Sequence, residues 1–575
     1  MAERVRGSSV PRALDREAGV LREEVAAMIS RPCLLAAVAI LGLFGTGMSR
    51  AEGPPRRPNI ILILADDLGY SDLGCYGGEI RTPHLDALAA GGLRFTQFYN
   101  GARCCPTRAA LLTGLYAHQA GVGNMDADQG LPGYRGHLLD STVTLPEMLR
   151  EAGYRTLMAG KWHLGRPGPV ARGFDEYYGM LGGFGSFWDP RGFIRLPPDR
   201  PARTYPEGRF YATEAITDHA LDFLASARRA GDRPYFLYLA YTAPHFPLHA
   251  PKEDIDRYVA TYRQGWDVVR ERRHARMKEL GLVRPDWPMS PLSEYRGRDG
   301  TMKAGVNPAW DALAPDRRED LARRMAIYAA MVEVMDRAIG RLVADLRASG
   351  ELDRTLILFL SDNGACAEWS PWGFDVRSGP DNTLHTGADL DRMGGPGTYH
   401  SYGSGWANAS NTPWRLYKHY VHEGGISTPL IVHWPERVRD RGALRQQVGH
   451  IIDILPTLRE VASAPNPKQL GDQRTPTEGT SLIPAFDDRP TTRDALYWEH
   501  EGNRAVRAGR WKLVARRGQP WELYDLEADR VERHDLADRE PERARELAAR
   551  WEAWARRALV VPSPVLERRD NDRKP

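Results

Sequence analysis

Asn59-Ile60-Ile61-Leu62-Ile63-Leu64-Ala65, followed at once by Asp66-Asp67, is the stretch of this 575-residue chain that decides its fold. A run of aliphatic residues without polar alternation is the pattern of a parallel strand buried on both faces. A second run, Thr355-Leu356-Ile357-Leu358-Phe359-Leu360-Ser361, ends in Asp362-Asn363-Gly364. A third, Pro234 to Ala240, leads to Thr242-Ala243-Pro244-His245. Each delivers polar residues at its C-terminal end, where open α/β sheets place their ligands. Helical patterns lie between the runs. Thr82-Pro83 opens one helix, and Leu145 to Ala152 carries another, capped by Thr144 with Glu147 three residues on and stopped by Gly153. The longest helix places Leu321, Met325, Tyr328, Val332, Met335, Ile339, Leu342 and Leu346 on one face and stops at Gly350. The expected class is α/β. The charged segment Glu253 to Leu282 reads as an exposed insertion without chemistry.

Near Phe486 the long apolar runs give way to short ones with turn residues: Ala495-Leu496-Tyr497-Trp498, Arg504 to Arg507, Trp511 to Ala515 and Trp521 to Leu526. These predict a small antiparallel sheet, closed by a helix from Pro541 to Leu559, with a disordered tail after Pro562. At the other end, the apolar stretch Cys33 to Phe44 is too short for a membrane span, follows Arg31 and precedes Ser49-Arg50-Ala51, a small-x-small pattern. It reads as a secretory signal peptide, with Met28 as an alternative start. The expected division is a signal segment with upstream extension over 1–51, a catalytic domain over 52–485 and a small α+β subdomain over 486–575. The expected location is periplasmic or secreted, with no membrane span in the mature form.

Lys plus Arg is 78 against 75 Asp plus Glu, a net charge of +3, which gives no electrostatic footprint for nucleic acid. Five cysteines, Cys33, Cys75, Cys104, Cys105 and Cys366, are too few and too scattered for a disulfide framework.

Asp66, Asp67, Asp362 and Asn363 offer only oxygen ligands, three of them anionic, which suits a hard divalent cation, calcium or magnesium, better than zinc. Singly, such pairs also cap helices and make turns. Cys104, at the mouth of a helix begun by Pro106 and Thr107, would meet N–H groups and a helix dipole that stabilise an anion. The plain alternative is a buried structural thiol pair with Cys105.

The run Cys104-Cys105-Pro106-Thr107-Arg108-Ala109-Ala110-Leu111-Leu112-Thr113-Gly114 resembles the signature of the type I, formylglycine-dependent sulfatases, Cys-x-Pro-[Ser/Thr]-Arg with a following Leu-Thr-Gly. Cys105 does not fit, because Thr107 and Ala109 stand where it would need proline and arginine. Met158-Ala159-Gly160-Lys161-Trp162-His163-Leu164-Gly165, Ala243-Pro244-His245, and Lys418 ahead of His422-Glu423-Gly424-Gly425 are similar to further blocks of that family. So are Leu64 to Gly69, Ser361 to Gly364, Pro132 to Leu138 and Arg415 to Lys418, the last two of the bacterial arylsulfatase branch. The resemblance runs from Arg57 to about Leu559.

It implies an alkaline-phosphatase-like α/β sandwich, with a large mixed sheet flanked by helices and a small C-terminal sheet. It implies hydrolysis of aryl or carbohydrate sulfates, and Cys104 oxidised to formylglycine by a formylglycine-generating enzyme. It also implies one calcium ion held by Asp66, Asp67, Asp362, Asn363 and residue 104. A sulfate monoester shields its sulfur with negative oxygens, so cations must spread that charge. The resemblance gives this task to the ion, Lys161, Lys418 and Arg108. One hydroxyl of the formylglycine hydrate would attack sulfur with Asp362 as base, and His245, helped by Lys418, would protonate the leaving alcohol. His163 would deprotonate the second hydroxyl, which reforms the aldehyde and expels sulfate. Two rival readings remain: a phosphonate or phosphodiester hydrolase of the same superfamily, and an inactive protein that binds sulfated glycans. The Gly-rich segment Ala365 to Asn411, carrying Trp369, Trp372, Phe374, Tyr399, Tyr402 and Trp406, either stacks on substrate or packs the loop.

Overall fold

The computed structural model describes residues 57–295, 305–368, 370–379, 381–466 and 476–561. The expected signal segment, Cys33, Trp369 and the tail after Pro562 lie outside the described residues. Strand Asn59–Ala65 stands at the centre of a ten-stranded sheet among those residues. It pairs in parallel with Thr355–Ser361 on one side and Tyr235–Ala240 on the other. Outward from Tyr235–Ala240 follow Arg155–Gly160 and Glu176–Gly179, both parallel, and antiparallel Ile194–Leu196. Outward from Thr355–Ser361 follow antiparallel Ser427–His433 and Leu93–Tyr99, then short Ala443–Arg445. The sheet is mixed.

Successive residues of a strand face opposite sides, and both sides here are covered. Ile61 and Ile63 join one core, built with the helices Ala212–Arg229 and Pro315–Ala348. Ile60, Leu62 and Leu64 join the other, with Cys104–Thr113, Leu145–Glu151 and Ile454–Ala462. That two-sided burial is why the strand sequence carries no alternation. Thr144 and Glu147 form the expected reciprocal cap. Leu496–His500, Asn503–Ala508, Trp511–Ala515 and Glu522–Asp525 form the small antiparallel sheet, and helix Pro541–Arg557 packs on it. The architecture is the alkaline-phosphatase-like sandwich. No helix among the described residues is long and apolar enough to cross a membrane.

One expectation is corrected. The segment Glu253 to Leu282 is part of the core, as helices Lys252–Asp256, Val259–Tyr262 and Gly265–Glu279. Trp266 is fully buried against Trp310 and Trp406. Arg273, 1% exposed, donates from Nη1 to Asp72 Oδ1 at 2.6 Å and from Nε to Glu79 Oε2 at 2.7 Å. Charges that read as a solvated face are neutralised by carboxylates some two hundred residues earlier in the chain. Arg273→Ala leaves Asp72 buried without its cation, which costs about 3–5 kcal/mol. Its thermal midpoint is expected to fall well below that of Arg276→Ala, whose partner is at the surface; equal midpoints by calorimetry would refute the buried pair.

Candidate active site

The sheet assembles the site from strand ends. Ala65 pairs with Ser361, so Asp66 and Asp362 leave their strands at one level. Asp67 adopts φ 69°, a strained left-handed conformation for a non-glycine residue. Hydrogen bonds hold it there. Its N–H donates to Asp362 Oδ1 at 3.3 Å, its carbonyl accepts from Tyr328 Oη at 3.1 Å, and its Oδ1 accepts from Asn363 Nδ2 at 2.6 Å.

All four side chains are buried, yet Asp66 Oδ1 and Asn363 Oδ1 have no hydrogen-bond partner. Burial, and then the neighbouring Asp362, push the Asp66 carboxyl well above its ordinary range against the pull of Lys161 and Arg108. Orphaned buried oxygens beside crowded carboxylates are what a hard cation would satisfy. The donor set fits calcium.

Cys104 is the first residue of helix Cys104–Thr113, two positions earlier than the sequence reading had it. Pro106 is accommodated because the first-turn N–H groups need no intrahelical partner. The Cys104 thiol is 1% exposed and shifted well below its usual range, by the Cys105 thiol donating to it and by Lys161 and His163, with burial opposing. One turn on, Arg108 binds Asp362 Oδ2 through Nε (3.1 Å) and Nη2 (2.8 Å), and donates from Nη1 to the Lys161 carbonyl at 2.9 Å. Its guanidinium is engaged by Asp362.

Lys161 follows strand Arg155–Gly160, and its Nζ donates to Asp66 Oδ2 at 2.6 Å. His163, at φ 53°, has a buried Nδ1 without a partner and an Nε2 3.8 Å from Asp126 Oδ2. One ring nitrogen of His163 and the sulfurs of Cys104 and Cys105 lie within 4.8 Å of one another. His245 lies between two cis peptides, Ala243-Pro244 and Phe246-Pro247. Its Nδ1 donates to the Phe246 carbonyl at 2.6 Å, which leaves Nε2 3.4 Å from both Lys418 Nζ and Asp67 Oδ2. Burial pushes this imidazole down to about 3. Lys418 Nζ donates to Asp67 at 2.9 Å, and despite burial Asp67 holds its ammonium well above the ordinary range. The fold thus gathers all ten residues singled out in the sequence: Asp66, Asp67, Cys104, Arg108, Lys161, His163, His245, Asp362, Asn363 and Lys418.

For part of the Gly-rich segment the packing reading holds. Trp406 and Tyr402 pack in the core, with Trp406 Nε1 donating to Leu321 O at 2.8 Å. Phe374 is buried beneath Phe246, and Tyr399 reaches the site rim. Asp375 fastens the segment to Arg324 of the longest helix at 2.9 Å. Asp126, Cys366 and the strand-following turn at Leu181 to Gly185 also border the site and were not singled out in the sequence. Of these, only the turn carries a local signal, an aromatic residue set among glycines.

Comparison with known proteins gives the family. The Sulfatase family model matches residues 58–464, and a model described as N-sulphoglucosamine sulphohydrolase, C-terminal, matches 413–553. An arylsulfatase of Klebsiella aerogenes is 36% identical over 470 residues, 79% of this chain and 96% of that protein. An uncharacterized sulfatase of Schizosaccharomyces pombe is 36% identical over 545 residues, 89% of this chain and 96% of that protein. The crystal structure of Ps i-CgsB in complex with k-i-k-neocarrahexaose superposes with a TM-score of 0.61 at 27% identity, covering 87% of this chain and 93% of that one. With a family model spanning most of the described residues and relatives matched over nearly their full length, the chain belongs to the sulfatase family.

Proposed function

We propose that the activity of this chain, sulfuric ester hydrolysis, runs through a formylglycine made from Cys104 and a calcium ion held by Asp66, Asp67, Asp362, Asn363 and residue 104. The carrying observation is the pair of orphaned buried oxygens, Asp66 Oδ1 and Asn363 Oδ1, set among the cations Lys161, Lys418 and Arg108. When bound, calcium supplies positive charge to the sulfate oxygens. The residues divide the remaining work. Lys161 and Lys418 flank the sulfate position and offset its charge. Arg108 acts through Asp362, fixing that carboxylate's orientation. His163, with one ring nitrogen within 4.8 Å of the Cys104 sulfur, is placed to take a proton from the side chain at 104. His245 and Lys418 stand together at 3.4 Å, and the proton for the leaving oxygen is held on this pair, at rest on Lys418.

Aryl and carbohydrate sulfates are the substrate class. The Klebsiella relative is named an arylsulfatase and a canine one N-acetylgalactosamine-6-sulfatase, 29% identical over 500 residues. Turnover of 4-nitrophenyl sulfate should exceed that of a 4-nitrophenyl phosphonate ester; the reverse preference would favour the phosphonate hydrolase reading. His245→Ala is expected to lose roughly 10²-fold or more on a sugar sulfate and far less on 4-nitrophenyl sulfate, whose leaving group needs little protonation. His163→Ala should slow both esters alike. Equal losses on the two esters in His245→Ala would contradict its place on the leaving-group side.

The proposal extends to maturation by a formylglycine-generating enzyme, export directed by residues 1–51, and a catalytic unit over 52–485 with a subdomain over 486–575. It is supported by the Cys104 to Arg108 motif and by the apolar stretch Cys33 to Phe44 ahead of Ser49-Arg50-Ala51.

A further inference from the structure

The turn Leu181-Gly182-Gly183-Phe184-Gly185 touches both site imidazoles. It is pinned at its start, where the Trp162 N–H donates to Met180 O at 2.9 Å and the His163 N–H to Leu181 O at 3.1 Å. Gly183 lies against His163: a Cβ there would come within 2.6 Å of Cε1 and Nε2 of the ring, so a larger residue requires the ring to move. The next residue carries a phenyl ring, and its plane lies at 12° to the His245 imidazole with centroids 6.0 Å apart.

Phe184 is 51% exposed and Leu181 38%. A lone exposed apolar side chain is ordinary on a protein surface and argues nothing by itself. This one is the outer member of an aromatic cluster that continues inward, through tilted and edge-on contacts. Phe184 contacts Phe246 at 5.4 Å and Tyr399 at 6.5 Å, and both rest on Phe374, which is fully buried. These ring contacts support the exposed phenyl beside the imidazole. The imidazole it stands beside is the one whose Nε2 lies 3.4 Å from Lys418 Nζ.

We infer that Phe184 is a specificity-determining residue: a platform for a leaving group that carries a ring with an apolar face, either an aryl ring or the apolar face of a pyranose. The inference rests on the placement of His245 on the leaving-group side. Ring-to-ring contact of this kind, together with the apolar area it covers, is worth roughly a factor of ten in binding. Inorganic sulfate, which has no leaving group, gains nothing from it.

The experiment uses the mature, calcium-loaded protein as wild type, Phe184→Leu and Phe184→Tyr. Phe184→Leu keeps apolar bulk against His245 and removes the flat face; Phe184→Tyr keeps the face. Each is assayed on 4-nitrophenyl sulfate and on glucose 6-sulfate, with inorganic sulfate as competitive inhibitor. In Phe184→Leu, kcat/KM is expected to fall about tenfold on at least one ester, chiefly through KM, while the inhibition constant of inorganic sulfate moves less than about twofold. Phe184→Tyr is expected to behave as wild type. A loss confined to the nitrophenyl ester assigns the platform to aryl rings, and one confined to the sugar ester assigns it to pyranoses. Unchanged esters, or inorganic sulfate weakened as much as the esters, would overturn the platform and make Phe184 a support for the site. Wild-type protein inert toward both esters would instead remove the hydrolase reading, and the platform with it.

Discussion

Cys104→Ala is expected to abolish turnover, by on the order of 10⁴-fold or more, the scale seen when a covalent nucleophile is removed. The fold should survive, because the change deletes one sulfur at the first position of a helix whose packing residues, Ala109, Leu111 and Leu112, are untouched. Far-UV circular dichroism and the thermal midpoint should match wild type. In active wild-type protein the peptide containing residue 104 should be lighter by about 18 Da than its unmodified form, the mass change for thiol to aldehyde. An active preparation carrying only the cysteine thiol would sink the mechanism. Cys105→Ala serves as the control: it keeps the motif Cys104, Pro106 and Arg108 and should keep activity.

The second large effect concerns the ion. Purified protein should contain calcium, and a chelator should remove both activity and several degrees of thermal stability, restored by calcium. Without a cation, Asp66 lies buried beside Asp362, and desolvation and repulsion both disfavour its charged form. Asp362→Ala should lose the ion and the activity together, and it also strands Arg108, whose two bonds to Asp362 Oδ2 are gone. Asp362→Asn separates the two effects, since its amide oxygen still accepts from Arg108. It should fold normally, bind calcium more weakly and turn over slowly. Stoichiometric zinc in the purified protein, with activity depending on it, would contradict an oxygen-only site.

The parts of this fold that were legible in the sequence are those where one physical requirement acts over consecutive residues. A strand covered on both faces must be apolar at every position, so Asn59–Ala65, Tyr235–Ala240 and Thr355–Ser361 announced themselves. The acids following two of them marked the corner where Asp66, Asp67, Asp362 and Asn363 meet. Lys418 is different: no periodicity marks it, and it was found only because its surroundings resemble a family. Arg273 was misread because its partners, Asp72 and Glu79, lie far away in the chain. The helix at Cys104 was placed two residues late because proline, read as a helix's first position, is also tolerated further into the first turn. Asp126 and Phe184 were missed for another reason. They reach the site from loops, where position follows from chain path rather than from composition.

The burial of the signature sets an order of events in time. Cys104 is 1% exposed, and Pro106, Thr107 and Arg108 are buried with it. On the proposed maturation, an enzyme that recognises these side chains would have to do so before the helix docks on the sheet, and maturation and folding would compete for the same nascent segment. Chain that folded first would then be locked as an inert thiol form, correctly shaped and beyond rescue without unfolding. The specific activity of a preparation would then report how that race ended during synthesis, and would not improve on later incubation of folded protein with the modifying enzyme.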